Sequence, residues 1–288
     1  MPTRGLSLVG FMAQDAALNH LRQACVPADP ADAALLPQWH AAQANLGAPV
    51  ARAGNPGIQP VPAANAAYVQ TLMQQPFVMM AFQGPLRGAT IELVEIDKLL
   101  AFQFTVDLDR SDHHCGMIGA PPSVDELLHV CLPINPPGED IKLSQIAQQH
   151  GGSAIVKSRS LNVRMNAQGI FSDPAGNPFA VGFQFGPSLP LVQVVRLNGR
   201  YYLHNGFHRA IGARLRGATH IPCILRDVQT AEEAAIRSDG STFDLALMES
   251  ANPPTLEHFT QGRATGVLLR AMTQIMHISW ARHVVPDE

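Results

Sequence analysis

The chain has 288 residues, 46% of them hydrophobic and 15% charged, with a formal net charge of −3 at pH 7. That length suits one large domain or a core with additions, and the near-neutral balance gives no bulk electrostatic footprint for nucleic acid. No apolar run approaches the roughly 20 residues of a membrane helix, so no membrane association and a cytoplasmic setting are expected.

Leu6–Cys25 reads as a helix, with Phe11, Leu18 and Leu21 on one inward stripe. Residues 31–65, rich in Ala, Pro, Asn and Gly, read as a short helix and a long extended arm, the kind of segment that wraps another subunit or the chain's own core. Ala66–Gln75 is helical again. From Pro76 the texture turns to β, with strands expected at Phe77–Phe82, Ala89–Ile96 and Phe102–Leu108. Residues 109–150 read as an insertion. Within it, Asp112-His113-His114-Cys115 and His129-Val130-Cys131 carry metal-capable groups but lack paired ligand spacing, so a polar loop is expected rather than a zinc site. Leu143–Lys157 superficially matches a helix-turn-helix, with His150 and Lys157 where apolar locking residues belong.

Ile155–Phe185 supplies more strands. Leu191–Leu197 and Tyr201–His204 flank Asn198-Gly199, a strong two-residue hairpin signal. Gly206 allows a sharp exit into a helix over His208–Arg216, stopped by Gly217, and Thr219–Val228 is the next strand. Beyond it the chain reads as helical: Ala231–Ser238, Phe243–Glu249, a break at Pro253-Pro254, then a long helix over Leu256–His283. Four dispersed cysteines (Cys25, Cys115, Cys131, Cys223) read as reduced, packed thiols.

The candidate chemistry sits at Asn205-Gly206-Phe207-His208-Arg209. A strand, a glycine turn and a helix start aim free backbone N–H groups and the positive helix end at one point, where His208 and Arg209 add hydrogen bonds; phosphate is the natural guest. In the competing reading, Arg209 pairs with a local carboxylate and His208 caps or packs.

Leu191–Val228 resembles the ParB/sulfiredoxin-like superfamily, whose members place a Gly-x-His-Arg or Gly-x-Arg-Arg turn between a strand hairpin and a helix. The later Ile221-Pro222-Cys223 is similar to an Ile-Pro-Ala in sulfiredoxins. The resemblance implies nucleotide phosphates held by Gly206, His208 and Arg209, with Asn205 beside them. Sulfiredoxins carry a cysteine where this chain has Phe207, so repair of overoxidised peroxiredoxin is not expected. Glu95-Ile96-Asp97-Lys98-Leu99 loosely fits the family's first strand, and Glu95 and Asp97 become candidates to hold Mg²⁺ or act as a base, against the competing and favoured reading of a solvated strand end.

The resulting expectation is an α+β protein: a ParB/sulfiredoxin-like mixed β-sheet core at 76–228 with an insertion around 109–150, a helical or extended N-terminal arm at 1–75, and a helical C-terminal extension at 229–288. The expected function is nucleotide binding, with hydrolysis or transfer of a phosphate from ATP, ADP or CTP, possible Mg²⁺, and a small-molecule acceptor. The alternatives are a nucleic-acid-associated partition-type or nuclease-like factor, and a non-catalytic nucleotide-binding module. Homo-oligomerisation through the N-terminal arm is a further expectation.

Overall fold

The computed structural model describes all residues except 27–31, 136–140, 149–150, 159–162, 172–179, 188, 238 and 282–288. The chain opens with β1 (Thr3–Ser7), α1 (Gln14–Ala24), α2 (Asp32–Ala44), β2 (Ile58–Pro60), α3 (Ala66–Met73) and α4 (Pro76–Gln83). Then come β3 (Thr90–Glu95), β4 (Thr105–Asp107), α5 (Leu108–Cys115), α6 (Val124–Cys131), β5 (Ile141–Gln148), β6 (Gly151–Ser158), β7 (Val163–Phe171) and β8 (Ala180–Pro187). The last third holds β9 (Gln193–Leu197), β10 (Arg200–Asn205), α7 (Phe207–Leu215), β11 (His220–Asp227), α8 (Leu245–Glu249), α9 (Leu256–Thr260), β12 (Thr265–Leu269) and β13 (Gln274–Ala281). The architecture is mixed α+β. Among the described residues no helix is long and apolar enough to cross a membrane.

Two compact units divide the chain: Met1–Asn135 with Pro190–Arg270, and Pro136–Leu189 with Ala271–Glu288. These boundaries follow tertiary pairing and differ from the composition-based divisions at 75, 109–150 and 228. In the first unit a five-stranded sheet runs β10-β9-β11-β3-β2. Asn198 (φ 51) and Gly199 (φ 76) turn β9 into β10, both in the left-handed region that such hairpins demand. Helix α7 carries the chain from β10 to β11, which lies parallel to β9 and antiparallel to β3. Val194, Val195, Leu203, Ile221, Ile224 and Val94 are fully or almost fully buried, which is why these strands read as apolar runs. Beyond β10 the backbone of Leu100 continues the hydrogen bonding, donating to Tyr201 O at 3.0 Å and accepting from Leu203 N at 3.1 Å.

A second sheet in the same unit, β12-β1-β4, is backed by α1 and α2 through Leu18, Leu21, Leu35 and Trp39 packed with Val267 and Leu269. Of the two fates open to the arm, the one seen is packing on the chain's own core: α2 belongs to that core, Trp39 Nε1 donates to Met12 O at 3.1 Å, and β2 forms the edge of the larger sheet. Thr255 and His258 form a capping box on α9 inside this unit, with His258 fully buried. The second unit consists of the antiparallel sheet β13-β6-β5 and the antiparallel pair β7-β8.

Several local expectations are corrected. Residues 76–83 form a helix, with Pro76 in its first turn and the buried Val78 and Ala81 three apart, a helical period. Leu6 and Ser7 belong to β1, and the first helix starts only at Gln14. The segment resembling a helix-turn-helix is a pair of strands, Gln148 opposite Gly151, so this stretch has no recognition helix. The long C-terminal helix is absent. Gly262 (φ 73) follows the short α9, and then Val267 pairs opposite Gly5 and Ile278 opposite Ala154 in two different sheets. Asp112–Cys115 is helical, not a loop: Asp107 caps α5 by accepting from Arg110 N at 3.0 Å.

Candidate anion site at the start of helix α7

Strand β10 ends at Asn205, whose Nδ2 donates to Leu191 O at 3.1 Å and ties the strand end to the approach of β9. Gly206 follows at φ +98, ψ 25. A Cβ there would lie 2.6 Å from Val192 Cγ2, so both the backbone conformation and the space require glycine. Helix α7 then begins with no side-chain cap and no acidic residue in its first turn. The N–H of Ala210 is taken by Gly206 O at 2.9 Å. The N–H groups of Phe207, His208 and Arg209 precede any intrahelical acceptor and are the donors left for an outside group.

The three side chains of that turn have separate fates. Phe207 is core, 4% exposed and edge-on to Phe102 at 5.4 Å. Arg209 is 9% exposed. Its Nη1 donates to Cys131 O at 3.2 Å and, in a very short contact, to Pro190 O. Cys131 O also accepts from Val192 N at 2.8 Å, so the guanidinium joins the end of α6 to the start of β9. Among the described residues no carboxylate pairs with Arg209. Burial lowers the affinity of this guanidinium for its proton, opposed by the Cys131 and Cys115 thiols and reinforced by Arg110. A guanidinium nonetheless stays charged, leaving a buried cation satisfied by neutral carbonyls.

His208 faces the other way, toward α5. Burial, aided by Arg110, His114 and Arg209 and opposed by Asp107, pushes it down from 6.5 to about 3. His114 is pushed to about 4 by burial and then by Arg209, Arg110 and His113. Both imidazoles are neutral at pH 7. The helices are close because Gly212 lets them be: a Cβ there would stand 2.7 Å from Cys115 Sγ and 2.8 Å from Ser111 O. Asp107, the one carboxylate among these neighbours, already accepts from Arg110 N at 3.0 Å and from Thr3 Oγ1 at 2.8 Å.

The helix start thus has the Arg209 guanidinium, held by carbonyls, to one side, and Arg110, Asp107 and His114 acting electrostatically on His208 at the other. This arrangement can hold an anion and hydrogen-bond it; the imidazoles can accept a proton. It offers no ready nucleophile. Cys115 and Cys131 are raised to about 11 and about 12 by burial, so both remain thiols.

Of the candidates named from sequence, Asn205, Gly206, His208 and Arg209 come together here. Glu95 and Asp97 do not. Glu95 Oε2 accepts from Gly57 N at 2.9 Å, and Asp97 receives Arg214 Nε and Nη2 at 2.8 and 3.0 Å. Arg214 lies in the last turn of α7, so Asp97 sits at the opposite end of a nine-residue helix, about 12 Å along its axis from the start. These carboxylates do not fit a Mg²⁺ role at the anion corner, and no cluster of three or more His, Cys, Asp or Glu suited to a metal forms among the described residues. Sequence reasoning missed Asp107 and Arg110, and weighed His114 only as a metal-capable group of Asp112–Cys115. Their spacing of three and four places them on one helix face, a signal hidden while 109–115 was read as a loop. No protein-family model, curated protein or solved structure matches the chain.

Proposed function

We propose that this protein is a nucleotide-binding member of the ParB/sulfiredoxin-like fold, holding the phosphates of ATP, ADP or CTP at the start of α7. What carries the reading is Arg209, a buried cation with no carboxylate partner among the described residues, beside a helix start with no acidic or side-chain cap. Bound phosphate would supply the missing negative charge in a site of low polarity, where each charge-assisted hydrogen bond counts for more. The order hairpin, left-handed glycine, helix, strand supports the fold assignment. Gly206 lets phosphate approach the backbone, His208 donates or accepts a hydrogen bond in its neutral form, and Arg209 supplies charge. With burial holding it at about 3, His208 is a weak base, so its part in this reading is a hydrogen bond to phosphate.

One observation favours a second reading, a binding module without turnover: Phe207, at the family's nucleophile position, is packed into the core. The nucleic-acid reading lost its structural element when Leu143–Lys157 proved to be strands. Calorimetric titration with ATP, ADP and CTP, with and without Mg²⁺, tests the proposal. Arg209→Lys and Arg209→Ala, checked for folding by circular dichroism, should bind at least about tenfold more weakly, roughly 1.4 kcal/mol. Unchanged affinity in a folded Arg209→Ala protein would remove the idea. Binding without phosphate release to water or any acceptor would select the second reading.

A further inference from the structure

Helix α9 starts from a capping box with an unusual member. In the common form a Ser or Thr is followed three residues later by Glu or Gln, whose side chain accepts from the first residue's N–H. Here that acceptor is His258: Thr255 N–H donates to its Nδ1 at 3.0 Å, and Thr255 Oγ1 lies 2.9 Å from the same nitrogen. Thr255 and His258 are both fully buried. A ring nitrogen that accepts from a backbone N–H keeps its lone pair there, so the neutral ring carries its proton on Nε2. Nε2 has no hydrogen-bond partner among the described residues, and the ring stands edge-on to Phe11 with centroids 4.9 Å apart.

The box fastens one backbone stretch to another. Leu256 N–H donates to Leu99 O and Ala101 N–H to Pro254 O, both at 3.0 Å, on either side of a bridge between Leu100 and Thr255. We propose that His258 is an acid-released latch: while neutral it holds Pro254–Leu256 on residues 99–101, and a proton on Nδ1 lets that contact open. The proton sets two N–H groups against each other; Thr255 Oγ1 can take the new one, but Thr255 N–H loses its acceptor. The surroundings oppose that proton in the closed state. Burial and then Arg263, against a smaller upward pull from the Thr255 backbone, lower His258 from 6.5 to about 4. Glu257, the neighbouring carboxylate, is engaged by Lys98 Nζ at 3.4 Å and Arg263 Nη2 at 4.0 Å. Helix α7, packed on α9, brings Arg214, which is paired with Asp97. Residues 99–101 are apolar, as is Phe11. An imidazole lowered in this way stabilises the closed form fully above about pH 6.5 and less as pH falls toward 4. The latch is independent of the anion site.

Amide hydrogen exchange of the full chain, corrected for intrinsic rates, reads the opening at Leu256 and Ala101. Between pH 7.5 and pH 5.5 their opening constants should rise about tenfold more in the natural chain than in His258→Gln, which keeps the acceptor and cannot titrate. His258→Phe lacks the acceptor and should open about fivefold more than His258→Gln at pH 7.5, the usual worth of a lost cap. Equal pH responses in the natural chain and His258→Gln overturn the latch; equal protection in the Gln and Phe variants overturns the cap as its cause. Should the variants not fold, the ring nitrogen shifts of the natural chain decide: a proton on Nε2 above pH 6.5 is expected, and one on Nδ1 overturns the proposal.

Discussion

The two ends of helix α7 carry the same residue type in opposite circumstances. Arg214, in the last turn, is about a quarter exposed and makes a two-pronged pair with Asp97, which raises its proton affinity. Arg209, in the first turn, is almost fully buried, its side-chain hydrogen bonds among the described residues go to carbonyls, and it has its proton affinity lowered. A cation that pairs with a carboxylate at a half-wet edge is ordinary architecture. A buried one without a counter-charge costs stability unless its donors are met by other acceptors, here the Cys131 and Pro190 carbonyls. The contrast teaches that position along a helix, more than residue identity, decides whether an arginine pairs with a carboxylate or is buried on carbonyls.

Acid should produce the largest effect, through two histidines near the start of α7 and one in α9. His208, His114 and His258 are all lowered by burial, to about 3, about 4 and about 4. The sign follows from the direction: a depressed imidazole gives stability that is complete above about 6.5 and is lost as pH falls toward the folded value, because the unfolded chain binds the proton first. At about 1.4 kcal/mol per pH unit for each histidine, the loss by pH 4.5 rivals the whole ~5–15 kcal/mol margin of a domain. Urea midpoints measured from pH 7.5 to 4.5 should drop steeply below 6.5; a flat profile would break the picture of desolvated imidazoles.

Gly206→Ala comes next. It combines left-handed strain with a Cβ 2.6 Å from Val192 Cγ2, and should cost about 2–4 kcal/mol and abolish nucleotide binding. Gly199→Ala is its control. The hairpin glycine is also left-handed (φ +76) but nothing lies within 4 Å of its Cβ, so about 1 kcal/mol is expected with binding intact. Equal losses from the two, by thermal melts, would show that Val192 yields freely. The smallest effect sharpens the comparison between the helix ends: Arg214→Ala should cost about 1 kcal/mol or less and leave nucleotide affinity within about twofold, while Arg209→Ala weakens it at least about tenfold. A comparable loss of affinity in both would mean the ends are coupled.

The features legible in sequence are those set by single residues acting locally. Asn198-Gly199, Gly206 and Gly217 all adopt positive φ where turn chemistry placed them, and the strands and helix between them follow within a residue or two. Apolar runs were harder. Phe77–Phe82 carries enough apolar residues to satisfy a strand or a helix, and Val267 and Ile278 fit a helical stripe as readily as the alternation they actually show in β12 and β13.

What the sequence determined alone, then, is the α+β character and the geometry of the glycine corner, because both depend on conformational preferences within a few residues. Tertiary structure decided which charges meet there. Strand β3 runs antiparallel to β11 with Glu95 opposite His220, just past the end of α7, so Glu95 and Asp97 are delivered to the far end of the helix. The close packing of α5 against Gly212 brings Arg110, His114 and Asp107 to His208 instead. Long-range register and a missing side chain at one glycine settle both outcomes, and neither can be read from local spacing.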